Sequence, residues 1–255
     1  MVKELDSTAK TTETSIHIVD ALRELDGATL DELAAHLDLS PSTVHRHLAT
    51  LQKHKYVRRT ETGYEVGLQF LTVGGYAQRR TKAFPKVVEK VDSLAERTGE
   101  RAQLIVEDHG ERVYLYTEVG DSAVETGAHL GRRGPIHVSA AGKAILANLP
   151  RTEVEQIVDD HGLPTGGKNS ITSREELFEQ LERIRDRGYA FNRQESTNGV
   201  NAVGAPVLDS NESVLGALSV SGPANRVKGE LLTETLVEEV LEAANELELH
   251  IEHHI

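Results

Sequence analysis

The chain has no cysteine, no tryptophan and one methionine, and its aromatics amount to four phenylalanines and six tyrosines. Without cysteine there are no disulfides, no thiolate metal sites and no cysteine nucleophile. No stretch approaches the ~18 consecutive apolar residues of a membrane span. The polar opening MVKELDSTAKTTETS lacks a secretory apolar segment, so a cytoplasmic protein is expected. A complete Gly-x-x-x-x-Gly-Lys-Ser/Thr phosphate loop is missing, and so is a Gly-x-Ser-x-Gly nucleophile elbow. Ser139 has His137 two residues away, but nearness in sequence does not make a triad. The expectation is a protein that is not an enzyme and needs no cofactor. His250 and His254, one turn apart near the C-terminus, come nearest to a metal pair, yet a solvated helix end is the simpler reading, and no metal is expected.

Charge balance is also missing, with 41 acidic against 28 basic residues for a net charge of −13. The excess is unevenly spread. Residues 82–255 carry a net −12, whereas Leu39–Thr60 holds Arg46, Lys53, Lys55, Arg58 and Arg59, three histidines and no acid. A basic patch inside an acidic protein is the electrostatic footprint of a nucleic-acid contact. The surrounding acidity, with few aromatics, points to a halophilic host. At high salt, counterion release adds little to DNA affinity, so base contacts and shape carry more of it.

With 255 residues and 38% hydrophobic content, two packed domains are expected. In the first, apolar residues at Ile16, Val19, Leu22 and Leu25 predict a helix over Ile16–Leu25. Thr29-Leu30-Asp31-Glu32 is a capping box that opens a second helix to about Leu37. Ser40 as N-cap and Pro41 as first residue open a third, to about His54, that buries Val44, Leu48 and Leu51. Tyr56–Arg59, a Thr-Glu-Thr-Gly turn and Tyr64–Val66 read as a hairpin. Helix, helix, basic helix, hairpin is the order of a winged helix-turn-helix. Thr43 and Arg46 are the best candidates to reach base edges or phosphates, supported by Ser42 and His45, with Thr50 on the same exposed side; Arg58 and Arg59 suit the phosphate backbone. Lys53 and Lys55 need be no more than solvated surface. Leu68–Arg80 reads as a linker helix, weakened by Gly74-Gly75, that serves domain connection or dimer contact or is simply buried.

The second domain reads as α+β, an antiparallel sheet with helices packed on it. Helices are predicted over Phe84–Thr98, from Ser139 to about Leu149, near Arg151–His161, over Ser173–Arg187 and from Gly229 to about His253. Strands are predicted at Arg101–Glu107, Arg112–Val119, Val124–Leu130, Tyr189–Glu195, Val200–Leu208 and Val214–Ser221, with Gly131–Pro135 as a loop. That Gly-rich loop precedes the Ser139 helix, whose free N–H groups offer an anion site, with Arg132 and Arg133 adding positive charge. Ser219 and Ser221 alternate along one strand, so both hydroxyls face one side; Asn192 and Asn201 could add polar contacts. A small carboxylate fits this inventory.

Ser42-Thr43-Val44-His45-Arg46-His47-Leu48, His137-Val138-Ser139-Ala140-Ala141-Gly142-Lys143-Ala144, Arg187-Gly188-Tyr189-Ala190, Gly199–Val207 and Ala217–Pro223, in that order, resemble the IclR family of regulators. The resemblance implies a GAF-like effector domain, homodimers or tetramers, double-stranded DNA as partner at a pseudo-palindromic operator, and repression or activation of catabolic genes by a small metabolite, often an organic, aromatic or sugar-derived acid. The family's pocket maps here onto Ala140, Ala141, Asn192, Ala202, Ser219 and Ser221. Asn192 stands where the family often has Asp, and Ala202 where it often has Cys or another small polar residue, which implies a changed ligand preference. The resulting division is 1–66 for the winged helix-turn-helix, 67–81 for the linker or dimerisation helix and 82–255 for the effector domain. Two other readings are a winged helix that binds protein and an enzyme that turns over the bound metabolite.

Overall fold

A computed structural model describes residues 8–80, 83–123 and 127–254, with side chains described to residue 252. The chain divides into two compact units, Val2–Arg80 and Thr81–Ile255.

The first unit runs α1 (Lys10–Glu24), α2 (Leu30–His36), α3 (Pro41–Lys53), β1 (Val57–Arg59), β2 (Tyr64–Val66) and α4 (Gln69–Gln78). Ile18, Leu22, Leu33, Val44, Leu48 and Val57 form one core, each side chain worth about 1.5–3 kcal/mol on burial. The Thr29 side chain accepts from the Glu32 amide while the Glu32 carboxylate accepts from the Thr29 amide, so the capping box forms in full. α1 starts at Lys10, not at Ile16, because its first turns are polar and carry no apolar stripe. An isolated bridge between Ala28 and Tyr64 ties the hairpin to the α1–α2 turn.

The second unit contains α5 (Phe84–Thr98), β3 (Arg101–Asp108), β4 (Glu111–Val119), β5 (Arg133–Pro135), α6 (Ala140–Asn148), α7 (Arg151–His161), α8 (Arg174–Arg187), β6 (Ala190–Arg193), β7 (Val200–Leu208), β8 (Val214–Pro223) and α9 (Leu236–His254). The six strands form one antiparallel sheet in the order β5-β4-β3-β8-β7-β6. Neighbouring residues on a strand serve opposite faces. Leu104 and Leu218 join Val91, Leu94, Val240 and Leu247 of α5 and α9 on one face. Ile105 and Ala217 join Ile145, Leu177 and Ile184 of α6 and α8 on the other. The result is a sheet between two helical layers.

Two expectations need correction. Of the strand read at Val124–Leu130, Val124–Thr126 lie outside the described residues, and the described part, Gly127–Leu130, carries no strand. The strand is Arg133–Pro135, inside what reads as a loop, paired with β4 through Arg112 and Gly134. Gly and Pro announce a loop, but an edge strand needs hydrogen bonds on one side only and tolerates both. The last helix is also not uniform, since Leu231–Thr235 forms a π-helical turn before α9. No helix among the described residues is long and apolar enough to cross a membrane.

Candidate functional site

In the first unit the Ser40 hydroxyl caps α3 by accepting from the Thr43 amide at 3.2 Å. The same oxygen lies 3.0 Å from Ser42 Oγ and 2.9 Å from Thr43 Oγ1, so the polar tip of the helix is a connected hydroxyl cluster. Ser42, Arg46 and Thr50 recur at four-residue steps and therefore form one exposed stripe, flanked by exposed His45 and half-buried Thr43. The Thr50 hydroxyl is spent locally, donating to the Arg46 carbonyl at 3.0 Å. The Arg46 guanidinium has no ion pair among the described residues. His47 is turned inward, its Nδ1 2.8 Å from Ser15 Oγ of α1.

The hairpin arginines differ. Arg58 and Glu65 are register partners, and the guanidinium donates from Nε to Glu65 Oε2 at 2.9 Å, which offsets its charge in place. Arg59 stands over the Tyr64 ring at 6.0 Å and is exposed. The Arg58–Glu65 pair is invisible until register is known, because the two residues lie on different strands.

In the second unit a cleft opens at the N-terminus of α6. Ala140, Asn192, Ala202, Ser219 and Ser221 line it. So do Gln103, Ile105, Arg112, Tyr114, Ala128, Arg132, Ser139, Ser196, Thr197 and Val200. Ala141 does not; it is fully buried and packs in the core beneath α6, because consecutive helical residues point ~100° apart. Asn201 also turns away, donating to the Val227 carbonyl at 2.8 Å.

Ser139 caps α6, its Oγ accepting from the Gly142 amide at 3.0 Å. The helix seats tightly there: a Cβ on Gly142 would lie 1.9 Å from the Ile136 carbonyl oxygen. First-turn amides of a helix have no intrahelical partner and carry its positive end toward the cleft. Arg112 is nearly buried; its NH1 donates to the Pro135 carbonyl at 3.2 Å, and its Nε has no hydrogen-bond partner. Burial holds this guanidinium below its ordinary value, with Tyr114 opposing and Arg132 reinforcing the push. Gln103 donates to Ser219 Oγ at 3.3 Å and Ser221 Oγ at 3.2 Å, while its buried Oε1 is unpartnered. The lining thus contains two arginines, a helix N-terminus and no carboxylate. Its free space is about 40 Å³, room for roughly three waters at ~10–15 Å³ each.

One wall is bolted to the interior. Lys143, 1% exposed, donates to Gln180 Oε1 at 2.8 Å and to the Glu195 carboxylate. Burial pulls the Lys143 ammonium down and the Glu195 charge opposes it. The Glu195 amide in turn donates to Asn192 Oδ1 at 2.8 Å, and Asn192 Nδ2 donates to Ser196 Oγ at 2.7 Å. Asn192 therefore supports the Ser196–Thr197 wall. Sequence reasoning missed Gln103, Arg112 and Tyr114. The available signal was period two, since Arg112 and Tyr114 share a strand face, and Tyr114 pairs with Ile105. Of the C-terminal histidines, His254 lies outside the described side chains, and no metal-holding group occurs among those described.

Comparison with known proteins agrees with this architecture. Residues 80–249 match the model "Bacterial transcriptional regulator IclR C-terminal", and residues 13–61 match "IclR helix-turn-helix domain". The chain is 36% identical over 242 residues to a Halobacterium salinarum protein named "Probable HTH-type transcriptional regulator ArcR", covering 93% of this chain and 92% of that one. The crystal structure of Thermotoga maritima IclR superposes with a TM-score of 0.82 at 27% identity, covering 96% and 99% of the two chains. An IclR homologue from Microbacterium hydrocarbonoxydans, solved with 4-hydroxybenzoate, shares the fold with a TM-score of 0.78 at 23% identity, covering 93% and 98%.

Proposed function

The chain belongs to the IclR family of transcriptional regulators, DNA-binding proteins with an effector-binding C-terminal domain and not enzymes, and from that premise we propose that it is a cytoplasmic homodimer whose operator affinity is set by a small carboxylate. The observation that carries the ligand class is the Arg112 Nε, buried without a partner in a cleft that holds a second arginine and no acid. The carboxylate takes Arg112 and the amides at the start of α6, with Ser219 and Ser221 fixing its orientation. The 4-hydroxybenzoate of the Microbacterium relative is an acid of this class. A ring does not fit the present space, so such an acid has to part the Asn192–Thr197 wall, and that displacement is what can favour one state of the protein over another.

On the DNA side, each protomer places α3 in a major groove of a pseudo-palindromic site, with Thr43 and Arg46 at the bases and Ser42, His45, Thr50, Arg58 and Arg59 in support. Residues 67–81 join the domains and make the dimer contact. In favour of this, Leu68, Leu71 and Tyr76 are 74%, 69% and 73% exposed, an apolar face that a lone chain leaves in water. The net charge of −13 and the Halobacterium relative support a halophilic host.

The deciding experiment is genome-wide mapping of bound DNA at native salt, followed by operator retention with and without the acids those genes consume. Sharp peaks beside catabolic genes, and retention shifted by one acid, are expected. The double variant Ser219→Ala/Ser221→Ala should keep operator binding and lose the response. A full response in that variant would place the effector elsewhere.

A further inference from the structure

A second cavity adjoins the cleft in sequence but differs from it in chemistry. Glu111 lines the cavity and Arg112 the cleft; His137 lines the cavity and Ser139 the cleft. Its volume is about 130 Å³, larger than the cleft, and its walls are mainly Leu146 of α6, Ile157 and Val158 of α7, and Pro164. An apolar cavity of roughly 150 Å³ is large enough to hold a benzene ring.

Three polar side chains interrupt this wall, Glu111, His137 and His161, and of these only His137 is buried. His137 is 3% exposed, and its Nε2 is buried without a hydrogen-bond partner. Burial holds the imidazole down at about 4, against the pull of the Pro164 carbonyl and with help from the Arg112 and Lys143 charges. The ring is therefore neutral near pH 7 and offers a hydrogen-bonding nitrogen without a charge. With Glu111 also on the wall, an anion gains nothing there. One small uncharged ring is the most this volume takes, slightly below the roughly 150 Å³ that holds benzene, and a hydroxyl, able both to donate and to accept, satisfies Nε2 in either tautomer.

We propose that this cavity is a second small-molecule site, separate from the carboxylate cleft, that takes a small uncharged phenol or alcohol with its hydroxyl on His137 Nε2. The site rests on the Leu146–Ile157–His137 geometry and does not depend on the ligand assigned to the cleft.

The test is calorimetric titration of the full-length protein with phenol, alone and with saturating benzoate. Saturable phenol binding is expected, unaffected by benzoate, and weakened about tenfold in His137→Phe, the loss of one neutral hydrogen bond. Ile157→Trp fills the cavity from a half-exposed position on α7 and should abolish phenol binding while leaving the circular dichroism spectrum and DNA retention as in the parent. If His137→Phe does not fold, Ile157→Trp decides alone. Three results overturn the proposal: no saturable phenol binding in the parent, phenol binding that survives Ile157→Trp, or direct competition between phenol and benzoate.

Discussion

Arg46 on α3 and Arg112 on β4 are both arginines without a carboxylate among the described residues, held in opposite media. Arg46 stands in water on an exposed helix stripe; Arg112 is nearly buried with one nitrogen unpartnered. An exposed cation costs nothing to keep, and its contacts are screened by salt. A buried cation with an unmet hydrogen bond is kept at a cost, and an anion that reaches it meets little competition from solvent. The first suits a partner carrying many charges, such as a phosphate backbone. The second suits a ligand carrying one.

Arg112→Met breaks this comparison most sharply. Acid affinity should fall by about 2–5 kcal/mol, the usual cost of truncating a desolvated charged pair. The melting temperature should hold or rise, because an incompletely partnered buried charge is removed. Titration with benzoate and a thermal melt read both, and an unchanged acid affinity would remove Arg112 from the site. Arg46→Ala comes next, with operator affinity reduced by about 1–3 kcal/mol if it reads a base. Retention across a salt series separates the alternatives, since a phosphate contact instead weakens all sequences alike and lowers the salt slope by about one. Glu65→Gln should have the smallest effect and the opposite sign. Freeing Arg58 from an exposed ion pair worth about 0.2–1 kcal/mol should tighten non-specific DNA binding slightly and steepen its salt dependence. Equal slopes for variant and parent would mean that Arg58 points away from the backbone.

The two regions also differed in how far the sequence exposed them. α2 and α3 were legible because capping box, N-cap and N-terminal proline are local signals that act within four residues. The cleft was legible where one segment supplies it, at Ser139-Ala140 and at Ser219 and Ser221. It was not legible where β3 and β4 supply it, because Gln103 and Arg112 meet the other residues only through the register of three strands. β5 was hidden by turn-forming residues, and the first turns of α1 by their polarity. The Arg58–Glu65 pair and the Lys143–Glu195 bolt join residues on different elements, and no periodicity announces either.

The seat of α6 has a consequence for the history of such a chain. Position 142 has backbone oxygen 1.9 Å from where any side chain would begin, whereas Gly74 on α4 has nothing within 4 Å. One glycine is an alphabet of a single letter; the other can be overwritten within the lone chain at no steric expense. Ligand preference can therefore drift through the positions that line the cleft, such as Ala140 and Ala202, while the seat on which that helix rests stays fixed.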